Sequence, residues 1–325
     1  MAVQQNLQIQ STDSKADIIA LIKPIFNDLF ERCGVPDAGG TVHVLDQNLF
    51  NDAKEALSAE PFLLPSTMYP RFDAFLHTGV LVAQLAYPHL PHKLRVYVAL
   101  YTTLGAAVDD LSFETDPEFV ESFNERFIQG LPQGHPASEV FAVLTREAAV
   151  NYFNRPQAAL ITTCTLDFLA SLSMDTAVRE MENLADYPTF VDYWRMLSGL
   201  PKAFAVFVFP PDIPFASYVH TLPYISVYIN GVNDVLSFYK EELAMDEDNY
   251  PSKFAKGSAT LTKYDVIQRV VDDVVEADKM TLKGLAGNPE ALDCWNTFRS
   301  AWVPFHVVCP RYRLRELYGK DGDKA

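Results

Sequence analysis

The sequence predicts an all-α protein, a single-domain helical bundle, and three observations predict it. Apolar residues recur at helical spacing along most of the chain. Alternating β patterns with Asn-Gly turns are scarce, and prolines punctuate the gaps between apolar segments. With 325 residues, 49% of them hydrophobic, the chain can bury a large core. No Gly/Ser/Pro-rich linker divides it, and no repeat of fixed period is found.

Residues 1–14 are polar and read as a disordered tail, residues 15–318 as one domain, and residues 319–325 as a C-terminal tail. Ile18, Ile19, Leu21, Ile22, Ile25, Phe26, Leu29 and Phe30 form one amphipathic stripe, and Phe72, Phe75, Leu76, Val80, Leu81, Ala83 and Leu85 another. Leu94–Val108 is apolar on nearly every side, which predicts a central helix. Further helices are expected over Val140–Ala149, Ala158–Leu172, Phe190–Leu197, Tyr218–Leu236, Tyr264–Leu285 and Ala291–Val303. Pro132, Pro136, Pro188, Pro201, Pro251 and Pro289 are among the residues that separate them.

The net charge of -16 argues against nucleic acid and anionic membrane surfaces as partners. Cys33, Cys164, Cys294 and Cys309 are scattered without a CxxC spacing, as expected of reduced, mostly buried thiols in an intracellular protein. The first residues lack a basic-then-apolar signal pattern, and the longest apolar stretch, Ala203–Pro210, is too short to span a bilayer. A soluble, cytoplasmic protein with no membrane insertion is the expectation.

Two acidic patches carry the chemistry. Asp109 and Asp110 follow the apolar central helix, with Glu114 a little further on. Two carboxylates at the negative end of a helix dipole repel each other and the dipole, and a bound cation relieves both. In the second patch, Asn233, Ser237 and Glu241 are spaced i, i+4, i+8, which puts three oxygen donors on one helical face. Carboxylate, amide and hydroxyl oxygens are what Mg²⁺ takes when a phosphate supplies its remaining ligands. A third acidic pair, Asp272-Asp273, lies in a helix that also carries Lys263, Arg269, Asp278 and Lys279, and it reads as a solvated face. Asp246-Glu247-Asp248-Asn249 reads as a surface loop.

An acidic protein that binds an anion needs metal ions or a local cationic cluster. Arg195 stands four residues before Gly199 in an otherwise apolar helix, where a glycine permits a break. Arg311-Tyr312 sets a guanidinium beside a phenol, both able to donate to phosphate oxygens. Lys240 adjoins Glu241. Tyr101, Phe113, Tyr228 and Phe305 lie near these motifs and are candidate pocket residues.

Taken in order, DDLSFE, RMLSG, NDVLSFYKE and PRYRL resemble the class I terpene cyclases, and among them the fungal trichodiene synthase family of sesquiterpene synthases. The resemblance runs from about residue 70 to residue 318. It implies the class I terpenoid synthase bundle, Mg²⁺ (three ions), farnesyl or another prenyl diphosphate as substrate, and a possible homodimer. Residue by residue, it implies Asp109 as the principal ligand of the aspartate-rich motif with Asp110 in support. Asn233, Ser237 and Glu241 would hold a further magnesium. Arg195, Lys240, Arg311 and Tyr312 would hold the diphosphate, and Ser198 and Gly199 would match the helix-break region. The acid that usually follows the aspartate pair is displaced here to Glu114, with Phe113 in its place. The rival readings are a chain-elongating prenyltransferase, which would carry a second aspartate-rich motif where this chain has Asn233, Ser237 and Glu241, and a non-catalytic prenyl-diphosphate-binding homologue.

Overall fold

A computed structural model describes residues 14–35, 43–112 and 118–318. Phe113 and Glu114 lie outside the described residues, as do residues 1–13 and 319–325. The described residues form helices joined by turns and loops and contain no strand. In chain order the helices are α1 (Lys15–Arg32), α2 (Gln47–Ser58), α3 (Tyr69–Ala86), α4 (His92–Ser112), α5 (Glu118–Glu121), α6 (Phe123–Gln129), α7 (Pro136–Glu147) and α8 (Arg155–Glu180). There follow α9 (Pro188–Leu197), α10 (Pro201–Phe207), α11 (Leu222–Ala244), α12 (Tyr250–Ala255), α13 (Lys263–Leu285), α14 (Pro289–Val308) and α15 (Arg315–Tyr318).

Local chemistry sets the starts of these helices. Pro136, Pro188, Pro201, Pro251 and Pro289 all sit in a first turn, where a missing N–H is not needed. Ser14, Asn154 and Thr262 each form a capping box with the side chain three residues on. Ser14, placed by the sequence in the disordered tail, therefore begins the first helix. The segment expected to be helical from Tyr218 starts at Leu222, after two short 3₁₀ turns.

The central helix α4 packs along α3, α11 packs along α13, and α14 lies across α3. Gly79 explains how closely α3 and α4 approach, because a Cβ there would run into the Ala99 carbonyl and the Thr103 hydroxyl. The ends of the chain are tied together. Lys15 Nζ lies 2.6 Å from Glu316, the Tyr318 hydroxyl donates to Asn27 at 3.0 Å, and Tyr239 of α11 donates to Glu316 at 3.0 Å. These contacts fix the segment around Arg311 and Tyr312 against α1 and α11.

Among the described residues one segment, Arg155–Asp175 of α8, is long and apolar enough by length and composition to cross a membrane, although it is interrupted by polar residues and so exceeds the unbroken run Ala203–Pro210. In the fold, α8 packs against α10, α9 and α7. The four cysteines are free thiols; three are buried and Cys33 is half-buried. Burial pushes Cys33 up to about 11 and Cys164 up to about 12, so neither is a thiolate at neutral pH.

Candidate active site

The last turns of α4 and α11, the α9–α10 break and the end of α14 enclose one cavity of about 590 Å³. Thr102, Gly105, Ala106, Asp109 and Asp110 of α4 line it, the i, i+3, i+4, i+7, i+8 face of that helix. Asn230, Asn233, Asp234, Ser237 and Glu241 line it from α11 with the same periodicity. The two acidic patches therefore share one mouth. Phe204, Trp302 and Phe305 form an aromatic floor, with Trp302 stacked on Phe305 at 5.4 Å.

The helical period also corrects two expectations. Tyr101 is on α4 but off the cavity-facing stripe. It is fully buried behind Phe204, at 6.3 Å, and shares a hydrogen bond with Thr165 at 2.8 Å. Tyr228 is two residues from Asn230, about 200° around α11, so it points away from the cavity, where its hydroxyl donates to the Arg299 carbonyl at 3.2 Å. Neither lines the cavity; Ser198, Gly199 and Phe305 do.

Asp109 sits in a poor place for a charge. Burial and the neighbouring Asp110 push it up to about 6, against the opposing pull of Arg311. Glu241 is also raised by burial, with Lys240 at 3.4 Å and a hydrogen bond from Ser237 opposing the shift. Asp110 is held by Arg311 through two bonds of 2.9 and 3.1 Å, so the C-terminal arginine already reaches the first acidic patch. Asn233 donates to the Tyr312 hydroxyl at 3.1 Å, which joins the same C-terminal turn to the second patch.

Arg195 lies at the end of α9. Ser198 leaves the helix in an extended conformation, and Gly199 and Leu200 follow with φ of 74° and 59°. The glycine is needed twice over at 199. Its φ is in the left-handed region, and a Cβ would come within 2.6 Å of the Arg195 guanidinium. Arg195 makes two hydrogen bonds to Asp234, at 2.8 and 3.0 Å, and one to the Ser198 hydroxyl at 3.1 Å. Asp234 was missed in the sequence, although an acid beside Asn233 on an apolar helix signals a buried partner. The pair is largely buried, with side-chain exposures of 12% and 10%. Replacing Asp234 with Ala leaves the guanidinium without its partner and should cost about 3–5 kcal/mol of stability in a denaturant titration.

The segment expected as a surface loop is one, with Asp246 and Glu247 exposed, and it also forms a wall of the cavity. Asp246, Asp248 and Asn249 line it together with Asp175, Arg179, Trp194 and Lys253. Asp248 bridges Arg179 at 2.8 Å and Lys253 at 2.9 Å, and Trp194 donates to Asp175 at 3.0 Å. Burial lifts Asp175 to about 6 against that bond. These contacts join residues up to 69 positions apart, and no spacing along the chain announces them. Asp272, by contrast, is 63% exposed and paired with Arg32 at 2.6 Å, on the outer surface as expected.

The Trichodiene synthase (TRI5) family model matches residues 63–325 of this chain. The chain belongs to the trichodiene synthase family. It is 31% identical over 313 residues to an alpha-cuprenene synthase of Coprinopsis cinerea, covering 95% of this chain and 92% of that protein. It is 28% identical to a longiborneol synthase of Gibberella zeae over 74% of this chain and 73% of that one. A linalool/nerolidol synthase from Streptomyces clavuligerus has the same fold at a TM-score of 0.55 and 13% identity, over 83% of this chain and 95% of that one. The protein is thus a terpene synthase, a lyase acting on a prenyl diphosphate.

Terpene synthases generally use divalent metal ions. Among the described residues no three His, Cys, Asp or Glu side chains converge. The donors present are nonetheless hard oxygens: Asp109 and Asp110 on one side, and Asn233, Ser237 and Glu241 on the other. Such donors suit a hard divalent cation such as Mg²⁺ better than a softer metal, and a nearby cation would favour the ionised forms of Asp109 and Glu241, which burial disfavours.

Proposed function

We propose that this terpene synthase is Mg²⁺-dependent, ionises farnesyl diphosphate and cyclises the resulting carbocation. The observation that carries this reading is the shared mouth. Asp109, Asp110, Asn233, Ser237 and Glu241 face one opening, with Arg311, Tyr312 and Lys240 at its rim and an aromatic floor beneath. Magnesium, when bound, neutralises the leaving diphosphate. The protein's own part is to hold that diphosphate at the rim. Arg311 and Lys240 supply fixed positive charge, and Tyr312 supplies a donor.

The prenyl chain then lies over Phe204, Trp302 and Phe305. Ring faces there stabilise a passing cation by about 0.5–2 kcal/mol each and exclude water. No group in the floor is a strong base: Thr102 donates its hydroxyl to Val98 at 2.8 Å. The released diphosphate is therefore proposed to take the final proton. Asn233, Ser237 and Glu241 stand where a chain-elongating prenyltransferase would carry a second aspartate-rich motif, which favours cyclisation over elongation. The buried, high-pKa thiols support the proposal that the protein works in a reducing compartment, the cytosol.

The test is the purified protein with farnesyl diphosphate and Mg²⁺, with and without isopentenyl diphosphate, read by gas chromatography–mass spectrometry. A cyclic C15 hydrocarbon is the expected product. Longer prenyl diphosphates in the presence of isopentenyl diphosphate would establish elongation instead, and binding without turnover would establish a non-catalytic homologue.

A further inference from the structure

Beyond the residues that face the opening, one buried side chain behind Asn233 has no assigned role. The sequence predicts that α14 stops before Pro304, but the helix runs through it to Val308. The cost of one missing hydrogen bond is offset by burial of Phe305, Val307 and Val308. The extra turn carries His306, which is wholly buried.

The hydrogen-bond partners of His306 determine its tautomer. Nδ1 lies 2.7 Å from the Trp302 carbonyl, which can only accept, so Nδ1 carries the proton. The ring is wholly buried with a neutral carbonyl as the partner of Nδ1, surroundings in which a second proton and its charge would be costly. Nε2 then presents a lone pair. It faces Asn233 Nδ2 at 3.5 Å, and the same amide nitrogen donates to the Tyr312 hydroxyl at 3.1 Å. The His306 ring also packs on Tyr312, at 4.5 Å between centroids.

A side-chain amide has two unlike ends, and a metal takes the oxygen. Tyr312 cannot choose between them, because a phenol both donates and accepts. The Nε2 lone pair can choose: it attracts the amide N–H and repels the amide oxygen. We propose that His306 is a positioning residue that fixes the Asn233 amide, turning Nδ2 toward the C-terminal turn and leaving Oδ1 on the opposite edge as the ligand for a divalent cation. With Asn233 donating to it, the Tyr312 oxygen keeps its own proton to give to a phosphate. This inference rests on the diphosphate–magnesium reading above.

The experiment needs no turnover. Protection against thermal unfolding by inorganic diphosphate is titrated with Mg²⁺ for the wild-type protein and for His306→Phe. Phenylalanine keeps the ring volume and removes the lone pair. The Trp302 carbonyl still receives the backbone N–H of position 306, as in any helix. The half-saturating Mg²⁺ concentration should rise by about 10–100-fold, the usual effect of losing a group that orients a metal ligand. His306→Gln, which can place an amide oxygen near the Nε2 position, should recover most of the loss.

The decisive arm uses Asn233→Asp, whose side chain has two oxygens and nothing to orient. Adding His306→Phe to that background should bring no further loss. A purely structural histidine would give the same loss in both backgrounds, and that result overturns the inference. An unchanged Mg²⁺ requirement in His306→Phe also overturns it. If His306→Phe does not fold, His306→Asn makes the same comparison, since its shorter amide reaches only the Nδ1 position. A wild-type protein that diphosphate and Mg²⁺ do not protect overturns the underlying reading and this inference together.

Discussion

Asn233→Ala and Glu241→Gln should each lower turnover of farnesyl diphosphate by about 10³-fold or more, corresponding to about 4 kcal/mol of lost transition-state stabilisation. Both side chains stand on the cavity face of α11. Glu241 is in fact a burden on the ligand-free fold. A carboxyl whose folded-state pKa lies above its unfolded value costs stability at every pH above the folded value, and the cost disappears below the unfolded one. Glu241 and Asp109 are both raised, Asp109 to about 6, so at neutral pH both are on the costly side. In EDTA, Asp109→Asn should therefore be as stable as wild type or more stable, by about 1–2 kcal/mol after allowance for partial exposure, and Glu241→Gln should shift stability in the same direction.

The combination separates this reading from a simple folding defect. A variant that is more stable and nearly inactive has lost a functional group. Asp272→Asn is the control: its exposed side chain predicts a stability change within about 0.5 kcal/mol and unaltered turnover. Full turnover of wild type in EDTA, or of Asn233→Ala with metal, would rule out the metal-assisted mechanism. Loss of activity in Asp272→Asn with Asp109→Asn intact would show that the wrong acidic pair was chosen.

How far the sequence was legible depended on whether the deciding contact was local. The helix α4 and its acidic end followed from a continuous apolar run, and the Asn233–Ser237–Glu241 face followed from helical period alone. Tyr101 and Tyr228 were misplaced because nearness to a motif was used where the angle around the helix decides. The end of α14 was cut short because a proline is a local stop signal, while burial of the residues beyond it is a tertiary effect. That truncation hid His306. The partnership of Arg195 with Asp234, and the Asp248 bridges to Arg179 and Lys253, are contacts between helices that no local pattern encodes.

Arg311→Lys should change what the enzyme makes as well as how fast. Arg311 grips both oxygens of Asp110, at 2.9 and 3.1 Å, and so joins the C-terminal turn to the end of α4 across the cavity mouth. A planar guanidinium can keep that grip with one edge and offer the other to a phosphate. A lysine ammonium has the charge without the fork. Arg311→Lys should therefore leave the mouth less firmly closed while the net charge of the rim is unchanged. Water then reaches the cation before the ring closes, and the share of acyclic alcohols and early-deprotonated hydrocarbons should rise as turnover falls by about 10–100-fold, or roughly 1.4–2.7 kcal/mol. Asp110→Asn should shift products in the same direction, because it weakens the other half of the same clasp. Tyr312→Phe should show a milder shift, since it removes one donor and the acceptor of the Asn233 amide but no charge. Product profiling of the three variants, alongside diphosphate protection against thermal unfolding, checks the set. Wild-type product ratio, rate and protection in Arg311→Lys would reduce the Arg311–Asp110 pair to a surface ion pair, with no part in closing the site.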